Sequence, residues 1–280
     1  MALLDDKLTI TPGIRYEDVS TDFEDRINNT TNKNETDKFL PGLTVGFQAT
    51  DSLFLFTNAQ RSLVPVQTAQ VTREGAVANE LAWNYEIGAR SQLSENVSVS
   101  GTLFRIDYAD QIQFNRTESI FENLGETRHE GFELTADWQA TTRLALGIGY
   151  TYLDTEQLKG DNKGNELPNA PEHHFSANVD YHMGPWQASL TGLHVSESYS
   201  DANNTDEETA NGSAGKLPAY TLVNSRLSRE FVVGGNNLEI AVAVNNLLNE
   251  EYYFRGVDVS PVGRLPAPGR SFILEGSLDF

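Results

Sequence analysis

Apolar and polar positions alternate with a period of two along most of this chain. Leu238, Ile240, Val242 and Val244 fall on one side and Glu239, Ala241, Ala243 and Asn245 on the other. Trp83, Tyr85, Ile87 and Ala89 oppose Asn84, Glu86, Gly88 and Arg90, and Phe132, Leu134, Ala136 and Trp138 oppose Glu133, Thr135, Asp137 and Gln139. The same alternation runs from Phe175 to His182 and from Ser271 to Phe280. A two-residue period puts successive side chains on opposite faces of a strand. No comparable stretch keeps helical spacing. The pattern predicts about twelve strands, near 7–18, 39–49, 53–63, 80–93, 97–114, 121–140, 144–157, 171–183, 186–200, 217–231, 238–253 and 269–280. Several exceed the five or six residues common in soluble sheets and reach the roughly nine to eleven that a tilted bilayer crossing needs.

The connections alternate in length. Thr50-Asp51-Ser52, Ser94-Glu95-Asn96, Thr141-Thr142-Arg143 and Gly184-Pro185 read as tight turns, and Val232–Asn237 as a slightly longer one. Between them lie polar stretches near 19–38, 64–79, 158–170, 201–216 and 254–268, and only the link near 115–120 is shorter than this pattern wants. Short turns at one end and long loops at the other are the mark of an outer-membrane barrel. Charges on the polar positions (Arg15, Glu17, Glu86, Arg90, Glu133, Asp137, Asp180, Glu239, Glu275, Asp279) suit a wet lumen better than a dry core. Phe47, Trp138, Tyr181, Trp186 and Phe280 gather towards the short turns. Tyr16, Tyr108, Tyr152, Tyr199, Tyr252 and Tyr253 gather towards the long loops, giving two bands suited to membrane interfaces. The fold class expected is therefore all-β, an antiparallel transmembrane β-barrel. A soluble sandwich or propeller with one wet face shares the alternation and stays open at this point.

Composition narrows the function. With 20 Lys+Arg against 40 Asp+Glu the formal charge is −20, which excludes a nucleic-acid partner, since phosphate neutralisation needs excess cations. The absence of cysteine removes disulfides, thiolate metal sites and thiol nucleophiles. No apolar run is long enough for a membrane helix, and a mean hydropathy of −0.42 is compatible with a barrel whose strands are half apolar. The start, Met-Ala-Leu-Leu-Asp-Asp-Lys, has neither the basic nor the apolar region of a signal peptide.

Particular stretches carry a family resemblance. Leu8-Thr-Ile-Thr-Pro-Gly-Ile-Arg-Tyr-Glu17, Leu40-Pro-Gly-Leu43, Glu126-Thr-Arg-His-Glu-Gly-Phe-Glu133, Leu167-Pro-Asn-Ala-Pro-Glu-His173 and Val244-Asn-Asn-Leu-Leu-Asn-Glu-Glu-Tyr252 resemble the barrel of TonB-dependent outer-membrane receptors. Val64-Pro-Val-Gln-Thr-Ala-Gln70, the run from His194 to Thr205, Asn211–Tyr220 and Pro266–Arg270 are most similar to the ferric-dicitrate receptors of that family. The resemblance implies a barrel of about 22 strands, of which about twelve are present. Residues 1–280 would then be its C-terminal part, without signal peptide, TonB box or plug. It further implies a bacterial outer-membrane location and no enzymatic step. The expected partners are a ferric chelate, the TonB–ExbB–ExbD complex through the missing N-terminal part, and outer-membrane lipid with lipopolysaccharide. No cofactor and no protein-held metal are expected.

An anionic ferric chelate calls for Arg and polar donors at the mouth. Arg61, Arg73, Arg116, Arg128, Arg255, Arg264 and Arg270 lie on or near the long-loop side. The segment Gln111-Ile-Gln-Phe-Asn-Arg116 falls where the family's barrel contributes a polar contact, so the resemblance nominates Gln113, Asn115 and Arg116, with Arg116 where a neutral amide is usual. Ser260 falls where the family has an Asn. The ligand set expected is thus Arg116, Asn115, Gln113, Arg73, Ser260 and Arg264, while Arg128 and Arg270 fit ion pairs that fix geometry. Acidic residues at 18–25 and 201–208 suit a solvated rim. Asp161–Glu166 reads as a turn rather than a calcium loop. Another siderophore, haem or a glycan as cargo, and a passive porin-like barrel, remain alternatives.

Overall fold

The computed structural model describes residues 2–27, 29–71, 77–115, 120–210, 214–256 and 264–279. Among these, twelve strands have nine residues or more. They are β1 (Leu8–Asp25), β2 (Thr30–Thr50), β3 (Leu53–Val64), β4 (Glu80–Ser94), β5 (Val97–Ala109), β6 (Thr127–Thr141), β7 (Leu144–Gln157), β8 (His173–Met183), β9 (Trp186–Val195), β10 (Tyr220–Val233), β11 (Asn236–Asn245) and β12 (Ser271–Asp279). With the short Ala2–Leu3 they form one sheet whose strand order is the order of the chain.

Two-residue turns join alternate strands, and the connection read from the sequence as slightly longer, Val232–Asn237, is also one of them, because the strands run on to Val233 and resume at Asn236. In the turn after β10, Gly234 and Gly235 both take positive φ (60° and 87°), which matches the twist of a tight hairpin and which side chains resist. At the other end the loops carry small pairs of their own: Ile112–Asn115 with Ile120–Asn123, Ser198–Tyr199 with Lys216–Leu217, and Tyr253–Gly256 with Arg264–Pro266.

Several predicted boundaries move. The polar stretch 19–38 is not an open loop, because β1 and β2 stay paired as far as Asp25↔Thr30. Alternation continues there with Val19, Thr21 and Phe23 opposite Asp18, Ser20, Asp22 and Glu24, an apolar face too sparse to read as a strand. The strand predicted at 97–114 ends at Ala109 and the one predicted from 121 begins only at Thr127, since Asp110 (φ 60°) and Gly125 (φ 80°) leave the extended conformation. The connection between the two long strands is therefore longer than the sequence suggested, running from Asp110 to Glu126, and residues 116–119 lie outside the described residues. The strand predicted to run to 253 ends at Asn245, where Asn246 and Asn249 take φ of 52° and 56°.

The strand-borne apolar side chains are largely on the outside. The chain contains two compact units. In the first (1–89, 102–131 and 154–167), Ile14 is 70%, Ile87 59% and Leu103 60% exposed. In the second (90–101, 132–153 and 168–280), Leu227, Val242 and Leu274 are exposed, and Leu227 pairs with Val242, which pairs with Leu274. Alternate positions in the second unit carry charge: Asp180 accepts from Ser189 at 2.6 Å, and Arg226 bridges Glu239 on β11 and Glu275 on β12. One apolar face and one charged face, both on the same strands, is the pattern of a lipid-facing wall around a wet interior.

Aromatic side chains mark the wall's edges. In the first unit Tyr16 packs on Phe39 with ring centres 4.8 Å apart, and Trp83 stacks with Tyr85 at 6.1 Å. In the second, Phe132 contacts Tyr150 and Tyr152, each at 5.6 Å. Three expected members of the outer band do other work. Tyr252 is buried against Tyr220, Tyr199 lies under the Lys216 ammonium, and Tyr108 packs on His129.

Candidate ligand-binding site at the long-loop end

In the first unit the loops beyond the strands build a platform of their own. Val66, Val71 and Val77 form a buried cluster, with Phe23, Ile112 and Phe121 packed against it. A one-turn helix (Thr68–Val71) supplies part of it, and the extended β1–β2 hairpin anchors it through hydrogen bonds. Thr21 Oγ1 donates to the Val66 carbonyl at 2.9 Å, and Asn32 Nδ2 to the Val71 carbonyl at 3.0 Å. The extension predicted as loop is thus the scaffold under the 65–79 segment.

The small hairpin Ile112–Asn115/Ile120–Asn123 is fixed on this platform at several points. Its register pairs Ile112 with Asn123, Gln113 with Glu122 and Phe114 with Phe121. Alternation gives Ile112 and Phe121 to the apolar cluster and Gln113 and Glu122 to the opposite face. The Ile112 N–H donates to the Glu80 carboxylate at 2.7 Å. Burial raises the pKa of Glu80, at the outer end of β4, while the Ile112 hydrogen bond opposes the rise. The Ala78 N–H donates to Asn123 Oδ1 at 2.8 Å, and Asn123 Nδ2 returns to the Ala78 carbonyl at 3.0 Å. Behind the hairpin, Thr127 hydrogen-bonds Gln111, and Gln157 Nε2 donates to the Leu124 carbonyl at 3.3 Å.

On the face away from the cluster, Gln113 Oε1 is buried and has no hydrogen-bond partner among the described residues. An unsatisfied buried amide oxygen costs about 1–3 kcal/mol, so its persistence asks for an explanation such as a ligand or water. His129 Nε2 is a second such atom, beside Tyr108 at a ring separation of 5.1 Å. Neither Glu80 nor His129 stood out in the sequence as a site residue, although His129 lies inside the Glu126–Glu133 stretch.

The nominated residues fare unequally. Gln113 lies on the small hairpin, which is held by Glu80 on one side and Asn123 on the other. Asn115 ends the same strand, with its side chain outside the described residues. Arg73, Arg116 and Ser260 lie outside the described residues altogether. Arg264 opens the strand Arg264–Pro266, its side chain likewise outside them. Arg128 does make an ion pair: its Nε lies 3.2 Å from Asp107, which also holds Arg105 at 2.9 Å. Asp161–Glu166 forms a turn, with the Asn165 N–H donating to the Asn162 carbonyl at 3.0 Å.

Comparison with known proteins agrees with this architecture. The family profile for the TonB-dependent receptor-like β-barrel matches residues 1–247. The metal-pseudopaline receptor of Pseudomonas aeruginosa is 28% identical over 255 residues, 87% of this chain and 35% of that protein. The ferrichrome outer membrane transporter/phage receptor of Escherichia coli K12 is 25% identical over 257 residues, 88% of this chain and 33% of that protein. Among solved structures, the unliganded ferric citrate transporter FecA superposes with a TM-score of 0.85 at 30% identity, over 98% of this chain and 43% of that one. The siderophore receptor PiuA of Acinetobacter baumannii shares the fold, with a TM-score of 0.78 at 20% identity, over 96% of this chain and 40% of that one. The chain spans about a third of the length of the curated relatives it matches. With its outward apolar face, short turns and built-up loops, the chain belongs to the TonB-dependent receptor β-barrel family of the bacterial outer membrane.

Proposed function

We propose that this chain is the C-terminal part of the barrel of a receptor that binds a ferric chelate at its outer mouth and passes it inward. Coupling to TonB, with ExbB and ExbD, would run through a plug and TonB box outside these 280 residues. The work is binding and gated passage rather than bond-making. Ferric dicitrate is the first candidate, and the likeness to the ferric citrate transporter carries that choice: 30% identity with a TM-score of 0.85 across 98% of this chain. The buried, unpaired Gln113 oxygen supports a polar ligand contact on the loop platform. The orphaned oxygen is an acceptor and calls for a donor such as a bridging water, while the N–H donors of the same amide suit the carboxylates of citrate. Arg73, Asn115, Arg116, Ser260 and Arg264 complete the proposed contact set.

The likeness to a metal-pseudopaline receptor favours a second reading in which the cargo is a different metal chelate. Growth of an iron-starved host separates the two. A strain dependent on the receptor that contains this chain should grow with ferric citrate as sole iron source and stop when the gene is deleted. Growth that ignores ferric citrate but follows another metal chelate would overturn the first choice.

A further inference from the structure

The outer part of the β1–β2 ladder is a two-stranded ribbon whose faces are unlike. Its register pairs Thr21 with Asn34 and Phe23 with Asn32, so these four side chains share one face. Asp18, Ser20, Asp22 and Glu24 take the other. Every member of the first face meets the 65–79 segment. Thr21 Oγ1 donates to the Val66 carbonyl at 2.9 Å, Asn32 Nδ2 to the Val71 carbonyl at 3.0 Å, and Asn34 Nδ2 reaches the Val77 carbonyl at 3.5 Å. Phe23 packs on the cluster that the same three valines form.

Val66, Val71 and Val77 are buried and lie outside the long strands. A buried carbonyl left without a donor costs free energy, so such a segment needs donors from elsewhere. The ribbon supplies them at both ends and the middle. Asn79 Oδ1 accepts the Val66 N–H at 2.8 Å and closes the segment on itself. Two routes then lead to Gln113. Through hydrogen bonds, Ala78 is tied both ways to Asn123, at 2.8 and 3.0 Å, and Asn123 is the cross-strand partner of Ile112. Through packing, Ile112 and Phe23 rest on the same valine cluster. Ile112 immediately precedes Gln113, so the ribbon face fixes where that amide stands.

We propose that Thr21, Phe23 and Asn32 are positioning residues for ligand binding, which raise affinity by holding the platform in the arrangement that presents Gln113. This rests on the reading of Gln113 as a contact to a ferric chelate. A site that is competent only while its platform is ordered has its affinity reduced by the fraction of time the order holds. Removing the ribbon's donors therefore weakens binding without removing any ligand contact.

The test uses the receptor that contains this chain, purified in mild detergent, with ferric dicitrate as the probe. Thr21→Val keeps the side-chain shape and removes its donor, and Asn32→Ala removes the second. The double variant Thr21→Val/Asn32→Ala should bind about tenfold more weakly than wild type. Thr21→Ser, which keeps the hydroxyl, and Ser20→Ala, on the opposite face, should bind as wild type does. Added to Gln113→Ala, the double variant should lose much less than the product of the separate losses, because an absent amide no longer needs placing. A general loss of stability would instead multiply in full. Heat-modifiable gel mobility reports assembly in each case. Hydrogen exchange without ligand reads the placing by itself: residues 77–79 and 112–115 should exchange faster in the double variant, with the long strands unchanged. If wild type does not bind ferric dicitrate, the choice of cargo fails alone and the exchange comparison decides this proposal. Wild-type affinity in the assembled double variant, losses that multiply in full with Gln113→Ala, or unchanged exchange at 77–79 and 112–115 would overturn it.

Discussion

The side-chain amide of Asn123 donates to the backbone carbonyl of Asp110 at 2.6 Å, closing the 110–126 loop across its base. The same amide donates to the Ala78 carbonyl at 3.0 Å, while its oxygen accepts from the Ala78 N–H at 2.8 Å. One residue therefore ties the hairpin that carries Gln113 to the neighbouring 65–79 segment. Asn123→Asp keeps the size but removes both donors and places a carboxylate against two carbonyl oxygens. The local cost should be about 2–3 kcal/mol, from lost hydrogen bonds and buried acceptors left unpaired. Hydrogen exchange should show faster exchange confined to residues 110–126 and 77–79, with the long strands unchanged.

Glu80 gives the same loop a pH dependence. Burial raises its folded pKa above the ordinary carboxylate value, and the Ile112 N–H it accepts only partly offsets the rise. The folded state thus holds the proton more tightly than the unfolded state. Its favourable contribution is complete below the ordinary carboxylate pKa and is lost as pH rises through the raised folded value. Loop protection, corrected for intrinsic exchange, should therefore improve on acidification from neutral pH towards the ordinary carboxylate range. Glu80→Gln keeps an acceptor for Ile112 and removes the charge. It should stabilise the loop at neutral pH and flatten that dependence.

Arg226 joins three strands of the second unit through Glu239 and Glu275. Its side chain is about one-third exposed and that of Glu275 about half, so water screens the attraction. The pairs together are worth about 1 kcal/mol. Arg226→Met leaves two carboxylates facing each other and should lower the temperature at which heat-modifiable mobility is lost. The double variant Arg226→Met/Glu239→Gln should recover part of that loss. If the double variant is worse by the full sum of the single changes, the three groups do not act as a cluster.

The two faces of β10 should respond oppositely to charge. Leu227 is exposed and pairs with Val242 on the apolar face, whereas Ser228 is its neighbour on the other. Leu227→Arg near mid-membrane should cost about 2–4 kcal/mol and reduce assembly. A charged residue at a lumen position such as Thr191 should be tolerated. Because the native chain contains no cysteine, single cysteines at 227 and 228 can carry spin labels without background. The label at 227 should be quenched by oxygen, which partitions into lipid, and the label at 228 should be shielded from it.

The strands were legible because a two-residue period survives in any half-apolar sheet, and short polar breaks such as Gly184-Pro185 and Ser94-Glu95-Asn96 marked the turns, whereas Gly234-Gly235 read as part of a longer connection. What escaped was structure whose apolar face is sparse or short. The extension of β1 and β2 alternates Asp18, Ser20, Asp22 and Glu24 with Val19, Thr21 and Phe23, and its order comes from the Asp25↔Thr30 end of the ladder and from Thr21 and Asn32 gripping the 65–79 segment. The small hairpin escaped because its strands have four residues, too few to show a period, and because Asp110 and Gly125 interrupt the longer runs. Val66 is 2% exposed and sits at the heart of the loop platform, yet in the sequence Val64-Pro-Val-Gln offered only a family likeness. At the site, an orphaned amide oxygen on Gln113 is a property of three-dimensional enclosure, which spacing cannot reveal.

Calorimetric titration of the receptor with ferric dicitrate, wild type against Gln113→Ala, tests the central claim most directly. One hydrogen bond between a neutral amide and a charged ligand is worth about 1.5–3 kcal/mol, so the variant should bind roughly ten- to a hundredfold more weakly, with assembly unchanged. Saturable wild-type binding with that loss is the result predicted. No heat from ferric dicitrate in the wild type, with saturable binding of another metal chelate, would contradict it.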